Sequence, residues 1–250
     1  MTVTAGSLAA LPHRFFGREG GVSEGVWDSL NVGIRSGDEI GRVLENRARC
    51  AASLGSTADR LAVARQVHGI AVAKVDTPWA ADAAPDADAV VSRRRGVTVG
   101  VVTADCAPVL LADTDAGVIG AVHAGWRGAL DGVIEATVAA MRDLGARRIA
   151  AAVGPCIAHA SYEVGPDYRD IFIAADPASA PLFVAVPGSD RLLFDLKGFC
   201  GMRLERAGVA AVEVLADDTC ADEARFFSYR RTSKRREGRF GLQLSAIALP

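Results

Sequence analysis

The chain reads as an α/β (α+β) protein: one domain over residues 1–250, in which strands of a central sheet alternate with helices. Three observations predict this. Apolar runs of strand length cluster mid-chain, at Ala89–Ser92, 97–103, 109–112 and 118–122, as strands buried on both faces require. Two stretches, 38–54 and 128–144, instead repeat apolar residues every three or four positions and stop at Gly55 and Gly145. Strands and helices alternate through the remainder, and 250 residues of 50% hydrophobic content suffice for one large core.

Taken in order, 15–23 and 28–33 are turn-rich and read as loops after short strands, with Gly20-Gly21 free to take positive φ. The helix expected over 38–54 repeats Ile40, Val43, Leu44, Ala48, Ala51 and Leu54 at three- and four-residue steps. Strands at 61–67 and 71–75 flank a His68-Gly69 turn. Residues 76–88, rich in Ala, Asp and Pro without amphipathic period, read as a surface loop able to serve as a lid. The four apolar strands follow, with Cys106 and His123 at the ends of two of them, and then the helix over 128–144. A strand at 149–153, a short helix at 171–175, a strand at 192–196, a helix at 199–207 and a strand at 212–215 complete the pattern. The basic run 229–236 reads as a solvated loop, or as one presenting arginines to a phosphate.

The formal charge of −2 gives no global reason to bind nucleic acid or an anionic membrane, so small-molecule partners are expected. The N-terminus lacks a basic, apolar leader, and Asp105 interrupts the longest apolar stretch, 97–111, which predicts a cytoplasmic chain without a membrane span. Five scattered cysteines without C-x-x-C spacing suggest reduced thiols rather than a disulfide framework.

His68, Cys106 and His123 each sit beside Gly or Pro at a strand end. Singly, each histidine reads as a hydrogen-bonded turn residue and the cysteine as a small buried hydrophobe. Jointly they read as one metal site: a thiolate and two imidazoles suit Zn²⁺ or copper and leave a fourth position open for chemistry. A Cys106–His123 nucleophilic dyad competes, but leaves His68 without a role. Asp105, set in an apolar run, needs a partner: Arg65 or Arg127 in a bridge, or the N–H of a ligating histidine. Arg127, in the turn entering a helix, is placed to meet a phosphate or Asp105. His13 is expected to face solvent, His159 is a minor ligand candidate, and Cys156 and Cys220 read as core.

These stretches carry a resemblance. Gly20-Gly21-Val22-Ser23, Ser29-Leu30-Asn31, Asn46-Arg47, Gln66-Val67-His68-Gly69, Ala104-Asp105-Cys106-Ala107-Pro108, His123-Ala124-Gly125-Trp126-Arg127-Gly128, Gly154-Pro155 and Phe227-Ser228-Tyr229-Arg230-Arg231 occur in order. The chain resembles the YfiH/laccase-domain family, described both as polyphenol oxidase-like and as purine nucleoside phosphorylase-like. The resemblance implies a single layered domain of YfiH-like fold with a mixed β-sheet core flanked by helices, a zinc site of His68, Cys106 and His123, and purine nucleosides and phosphate as substrates. The implied activities are phosphorolysis of adenosine, inosine, guanosine and methylthioadenosine, and adenosine deamination. In that reading Asp105 is the acid-base carboxylate and Arg65, Arg127 or Arg230 holds phosphate. Copper-dependent polyphenol oxidation, and a thiol hydrolase or amidase acting on peptidoglycan precursors, stand as alternatives.

Overall fold

The computed structural model describes residues 2–80 and 82–250. Its strands are β1 (Thr2–Val3), β2 (His13–Phe16), β3 (Leu61–Val63), β4 (Val72–Lys74), β5 (Ala89–Ser92), β6 (Thr98–Thr103), β7 (Ala107–Asp113), β8 (Val118–Ala124), β9 (Ala150–Val153), β10 (Glu163–Val164), β11 (Phe183–Ala185), β12 (Leu192–Phe194), β13 (Ala211–Val214) and β14 (Gln243–Ala248). The α-helices are α1 (Ile40–Ser53), α2 (Trp126–Asp131), α3 (Val133–Asp143), α4 (Pro166–Ala175), α5 (Leu196–Arg206) and α6 (Tyr229–Arg235). One mixed sheet has the order β1-β2-β14-β6-β3, a second the order β13-β9-β7-β8-β5-β4, and a small antiparallel sheet the order β10-β12-β11.

The alternation of side chains along each strand stacks the two large sheets. In β7, Val109 and Leu111 pack with Ile134, Val138 and Met141 of α3 and Phe199 of α5. Between them Leu110, and after them Ala112, point the other way, against Val99 and Val101 of β6 and Ile247 of β14. The far face of that five-stranded sheet, Val63, Leu244 and Ala246, is covered by Cys50 of α1 and Leu54. The order of layers is thus helix, sheet, sheet, helix. Both strands of the central β7–β8 hairpin are buried throughout, which is why their sequence is continuously apolar rather than alternating.

Several expectations are corrected. The helix expected over 128–144 starts at Trp126 and is two helices, because Gly132 takes φ 108°, ends α2 and starts α3. The short helix at 171–175 begins earlier, at Pro166, whose fixed φ and missing N–H suit a first helical position. The basic run is no loop: Ser228 accepts the Arg231 N–H at 3.1 Å and starts α6. His13 is buried, its Nε2 accepting the Ala5 N–H at 2.8 Å and its Nδ1–H donating to the Leu11 carbonyl at 2.9 Å. All five cysteines are free thiols. Among the described residues, no helix is long and apolar enough to cross a membrane.

Candidate metal centre

The centre forms where the chain passes from one sheet to the other. After β6, the segment 104–106 crosses to β7, with Asp105 at φ 85°, and β8 returns so that His123 lies opposite Pro108. His123 shares its strand face with Ile119 and Ala121, and so points into the layer between the sheets. His68 comes from the loop between β3 and β4, at φ 60°. One ligand atom each from His68, Cys106 and His123 lie within 4.8 Å of one another. Cys106 Sγ is 3.9 Å from His68 Nε2, and the two imidazoles meet edge to face at 4.7 Å. His68 is exposed, Cys106 half-buried and His123 buried.

Asp88 holds this geometry. Fully buried at the start of β5, it accepts the Nδ1–H of His123 at 2.7 Å and the backbone N–H groups of Val67, His68 and Gly69 at 3.1, 2.9 and 2.7 Å. One carboxylate therefore orients His123, leaves its Nε2 for the cluster, and supports the positive-φ turn that carries His68. Burial opposes the Asp88 charge, yet the His123 imidazole and the amides outweigh it and hold the carboxyl below its usual range. Burial alone would raise the Cys106 thiol, but the imidazoles of His123 and His68 prevail and bring it down to about 6. Burial likewise opposes an imidazolium at His123, which the Cys106 thiolate and Asp88 overcome, lifting it to about 9.

The donors fit a metal ion. A thiolate and two neutral imidazoles match zinc or copper, and 3.9 Å between S and N is close to the ~3.6 Å that tetrahedral zinc bonds of ~2.0–2.3 Å imply. Gly125 makes room beneath them: a Cβ there would lie 2.9 Å from His68 Cδ2, 3.3 Å from Cys106 Sγ and 3.7 Å from His123 Cε1.

Two clefts meet at the cluster, both bordered by His68, Ala104, Cys106 and Tyr229. One, of about 550 Å³, is walled by Arg35, Arg47, Arg65, Gln66 and Phe240. The other, of about 500 Å³, is walled by Trp126, Tyr162, Tyr168, Arg191 and Arg230. Tyr229, 56% exposed, packs edge-on against Phe240 at 5.3 Å and stands between them.

The remaining predicted residues are distributed around this junction. Asp105 borders the second cleft, but its oxygens accept from Thr219 Oγ1 at 2.7 Å, Ser228 Oγ at 2.9 Å and the Arg230 N–H at 2.6 Å. The expected bridge from Asp105 to Arg65 or Arg127 is not formed, because neutral donors satisfy it; the carboxylate on a histidine N–H is Asp88. Burial raises the Asp105 carboxyl, and its donors offset this only in part. Arg65 is paired with both oxygens of Asp86. Arg127 lies over the Trp126 ring at 5.0 Å and borders neither cleft. Arg230 lies over Tyr162 at 5.1 Å and donates to the Glu163 carbonyl at 2.7 Å. His159, Cys156 and Cys220 stand outside the cluster.

A stacked pair of mixed sheets with a His–Cys–His cluster at their crossover defines the class of protein. Residues 12–250 match the family model described as multi-copper polyphenol oxidoreductase laccase. Over 245 residues the chain is 43% identical to a Deinococcus radiodurans protein named purine nucleoside phosphorylase, covering 96% of this chain and 90% of that one. A Streptomyces coelicolor protein of the same name is 42% identical over 220 residues, 87% of this chain and 88% of its own. Among solved structures, Bacillus licheniformis YfiH superposes with TM-score 0.90 at 27% identity, covering 100% of this chain and 96% of that one. A Neisseria meningitidis DUF152 protein gives TM-score 0.87 at 34% identity, covering 100% and 98%. The chain belongs to the YfiH/DUF152 family of laccase-like domains.

Proposed function

We propose that the chain is a metal-dependent purine nucleoside phosphorylase, acting on adenosine, inosine, guanosine and methylthioadenosine, with adenosine deamination as a second activity. The observation that carries this reading is the convergence of His68, Cys106 and His123 at the junction of an aromatic-walled cleft and an arginine-bearing one. The names of the relatives at 43% and 42% identity support it. His68, Cys106 and His123 would hold zinc, with copper the alternative, and the ion when bound supplies Lewis-acid polarisation.

The remaining work falls to the chain's own residues. Trp126, Tyr162 and Tyr168 line the cleft assigned to the purine, and Arg230 lies over the Tyr162 ring in the same cleft. Phosphorolysis joins a phosphate oxygen to the anomeric carbon as the carbon–nitrogen bond breaks and its electron pair leaves with the base. Donors around the junction stabilise the charge on the departing base. Asp88 keeps its proton partner on His123 Nδ1 fixed throughout. Asp105 acts as a positioning residue, anchoring the segment that carries Tyr229 and Arg230.

The test is metal analysis of protein purified without added metal, followed by base release from adenosine and inosine with and without phosphate. About one equivalent of metal and phosphate-dependent base release are expected. Phenol oxidation by a copper-loaded sample lacking base release would transfer the assignment to an oxidase. Full turnover by metal-free protein would transfer it to a Cys106–His123 dyad, whose thiol near 6 would then serve as nucleophile.

A further inference from the structure

Arg47 is the basic residue of the first cleft whose situation the fold leaves unexplained. It lies on α1, borders the cleft that ends at His68, Cys106 and His123, and is half-buried. Its Nε donates to the Val32 carbonyl at 2.9 Å, which sets the plane of the guanidinium. Among the described residues its two terminal nitrogens have no acceptor and no carboxylate pairs with it. Its neighbours on the helix differ: Arg42 pairs with Glu24 and Glu39, and Arg49 with Glu45. At the cleft mouth Arg65 is neutralised by Asp86. Burial depresses the Arg47 guanidinium to about 10, the mark of a charge that the protein itself does not compensate.

The position is also built rather than incidental. Adjacent Asn46 accepts the Val22 N–H at 2.9 Å and donates to Ser23 Oγ and to the carbonyls of Ser29 and Asn31, fastening the preceding loop to α1. The same loop supplies Val32, which aims Arg47. A half-buried planar cation held in one orientation, with two free donors facing a cleft, is complementary to a tetrahedral oxyanion.

We infer that Arg47 is the residue that holds the phosphate oxyanion in the first cleft, with exposed Arg35 adding positive field at its mouth. This deepens the phosphorylase reading and rests on it for the role of the anion. The purine then occupies the aromatic cleft, the anion approaches from the opposite side of the cluster, and the sugar spans the junction beneath Tyr229. The same chemistry would accept the 5′-phosphate of a nucleotide, so free phosphate and nucleotide are tested separately.

The experiment measures calorimetric binding of inorganic phosphate and, in parallel, of adenosine 5′-monophosphate to the metal-loaded protein, in wild type, Arg47→Met, Arg47→Lys and, as a control, Arg49→Met. Steady-state phosphorolysis is run alongside. Loss of the charged bonds in Arg47→Met is expected to weaken phosphate binding and raise the phosphate KM roughly 10- to 100-fold, with the nucleoside KM little changed. Arg47→Lys should fall between Arg47→Met and wild type, and Arg49→Met should match wild type. Parallel loss of nucleotide binding but not of phosphate binding would overturn free phosphate as the occupant. Should Arg47→Met fail to fold, crystals of wild type grown with phosphate decide: an anion on the Arg47 terminal nitrogens supports the inference, and one held elsewhere or none overturns it. Phosphate binding lost in Arg47→Met by a protein that phosphorolyses no nucleoside would sink the enzymatic reading and leave the site. Phosphorolysis with unchanged phosphate KM and binding in Arg47→Met would sink the site and leave the enzymatic reading.

Discussion

His123 is useful only in one tautomer, and a single carboxylate decides which. With Asp88 on Nδ1, the imidazole presents Nε2, and replacing that carboxylate by an amide offers the ring a group with one acceptor and a competing donor. Asp88→Asn is therefore expected to lower metal affinity about 10- to 100-fold, read by competition with a chromogenic chelator. Cys106 makes a second prediction. In metal-stripped protein its thiol, depressed to about 6, is thiolate at neutral pH, whereas burial pushes Cys50, Cys156, Cys200 and Cys220 upward. Iodoacetamide should then alkylate Cys106 alone at pH 7, with a rate that falls as pH drops through about 6 and that added zinc suppresses. Uniform labelling of several cysteines, or a midpoint near the ordinary thiol value, would count against the environment described. At this scale the clustering of His68, Cys106 and His123 was legible in sequence, because three soft or borderline donors stood at strand ends. Asp88 was not, since it closes an Ala/Asp/Pro stretch that has every mark of a surface loop; its one signal was its place immediately before the apolar Ala89-Val90-Val91.

Elements fix which donors can meet, and glycine fixes how closely. Gly125, at the entrance to α2, has φ −66°, so alanine there would strain no backbone and would act only by its Cβ against His68 and Cys106. Gly125→Ala should displace the donors, reducing metal stoichiometry while the melting temperature of the metal-free protein stays nearly constant. Equal loss of both would mean that the glycine serves packing rather than the cluster. Asp105 works at the same scale from the other side, tying the crossover after β6 to Thr219, Ser228 and the first turn of α6. Asp105→Ala leaves those donors unpaired and is expected to cost about 2–4 kcal/mol, seen as a lower urea midpoint. Helical periodicity revealed α1 and the α2–α3 region, but a break at a single glycine leaves apolar spacing intact and so was not visible. Within α6, seven residues dominated by Arg and Lys lack an apolar face, and only the Ser228 cap marks a helix there.

For the whole molecule, the stacking of two sheets is the condition for the site, because the crossover after β6 and the return along β8 bring a loop and a strand end together only if the sheets lie face to face. The apolar runs announced buried strands, yet their partners came from far along the chain: β14, whose Leu244 and Ala246 alternate with Gln243 and Ser245, fills the centre of the five-stranded sheet from the C-terminus. Pairing over such a separation leaves no local trace, which is why the layers were legible and the strand order was not. The position of the cluster at the end of this sandwich, rather than within it, separates stability from chemistry. Leu110 is fully buried on the β7 face that meets the other sheet, packed in the same core as Val99, Val101 and Ile247. Leu110→Ala removes that side chain and leaves a cavity, at an expected cost of about 3–5 kcal/mol and roughly 6–20 °C in melting temperature for a chain of this size. Because Leu110 borders neither cleft and is not one of the three donors, metal stoichiometry and turnover well below the melting point should persist. A variant that melts early but binds metal and turns over normally supports a site braced by Asp88 and the crossover loop. One that loses metal in proportion to its stability would show instead that the spacing of the two sheets sets the donor geometry.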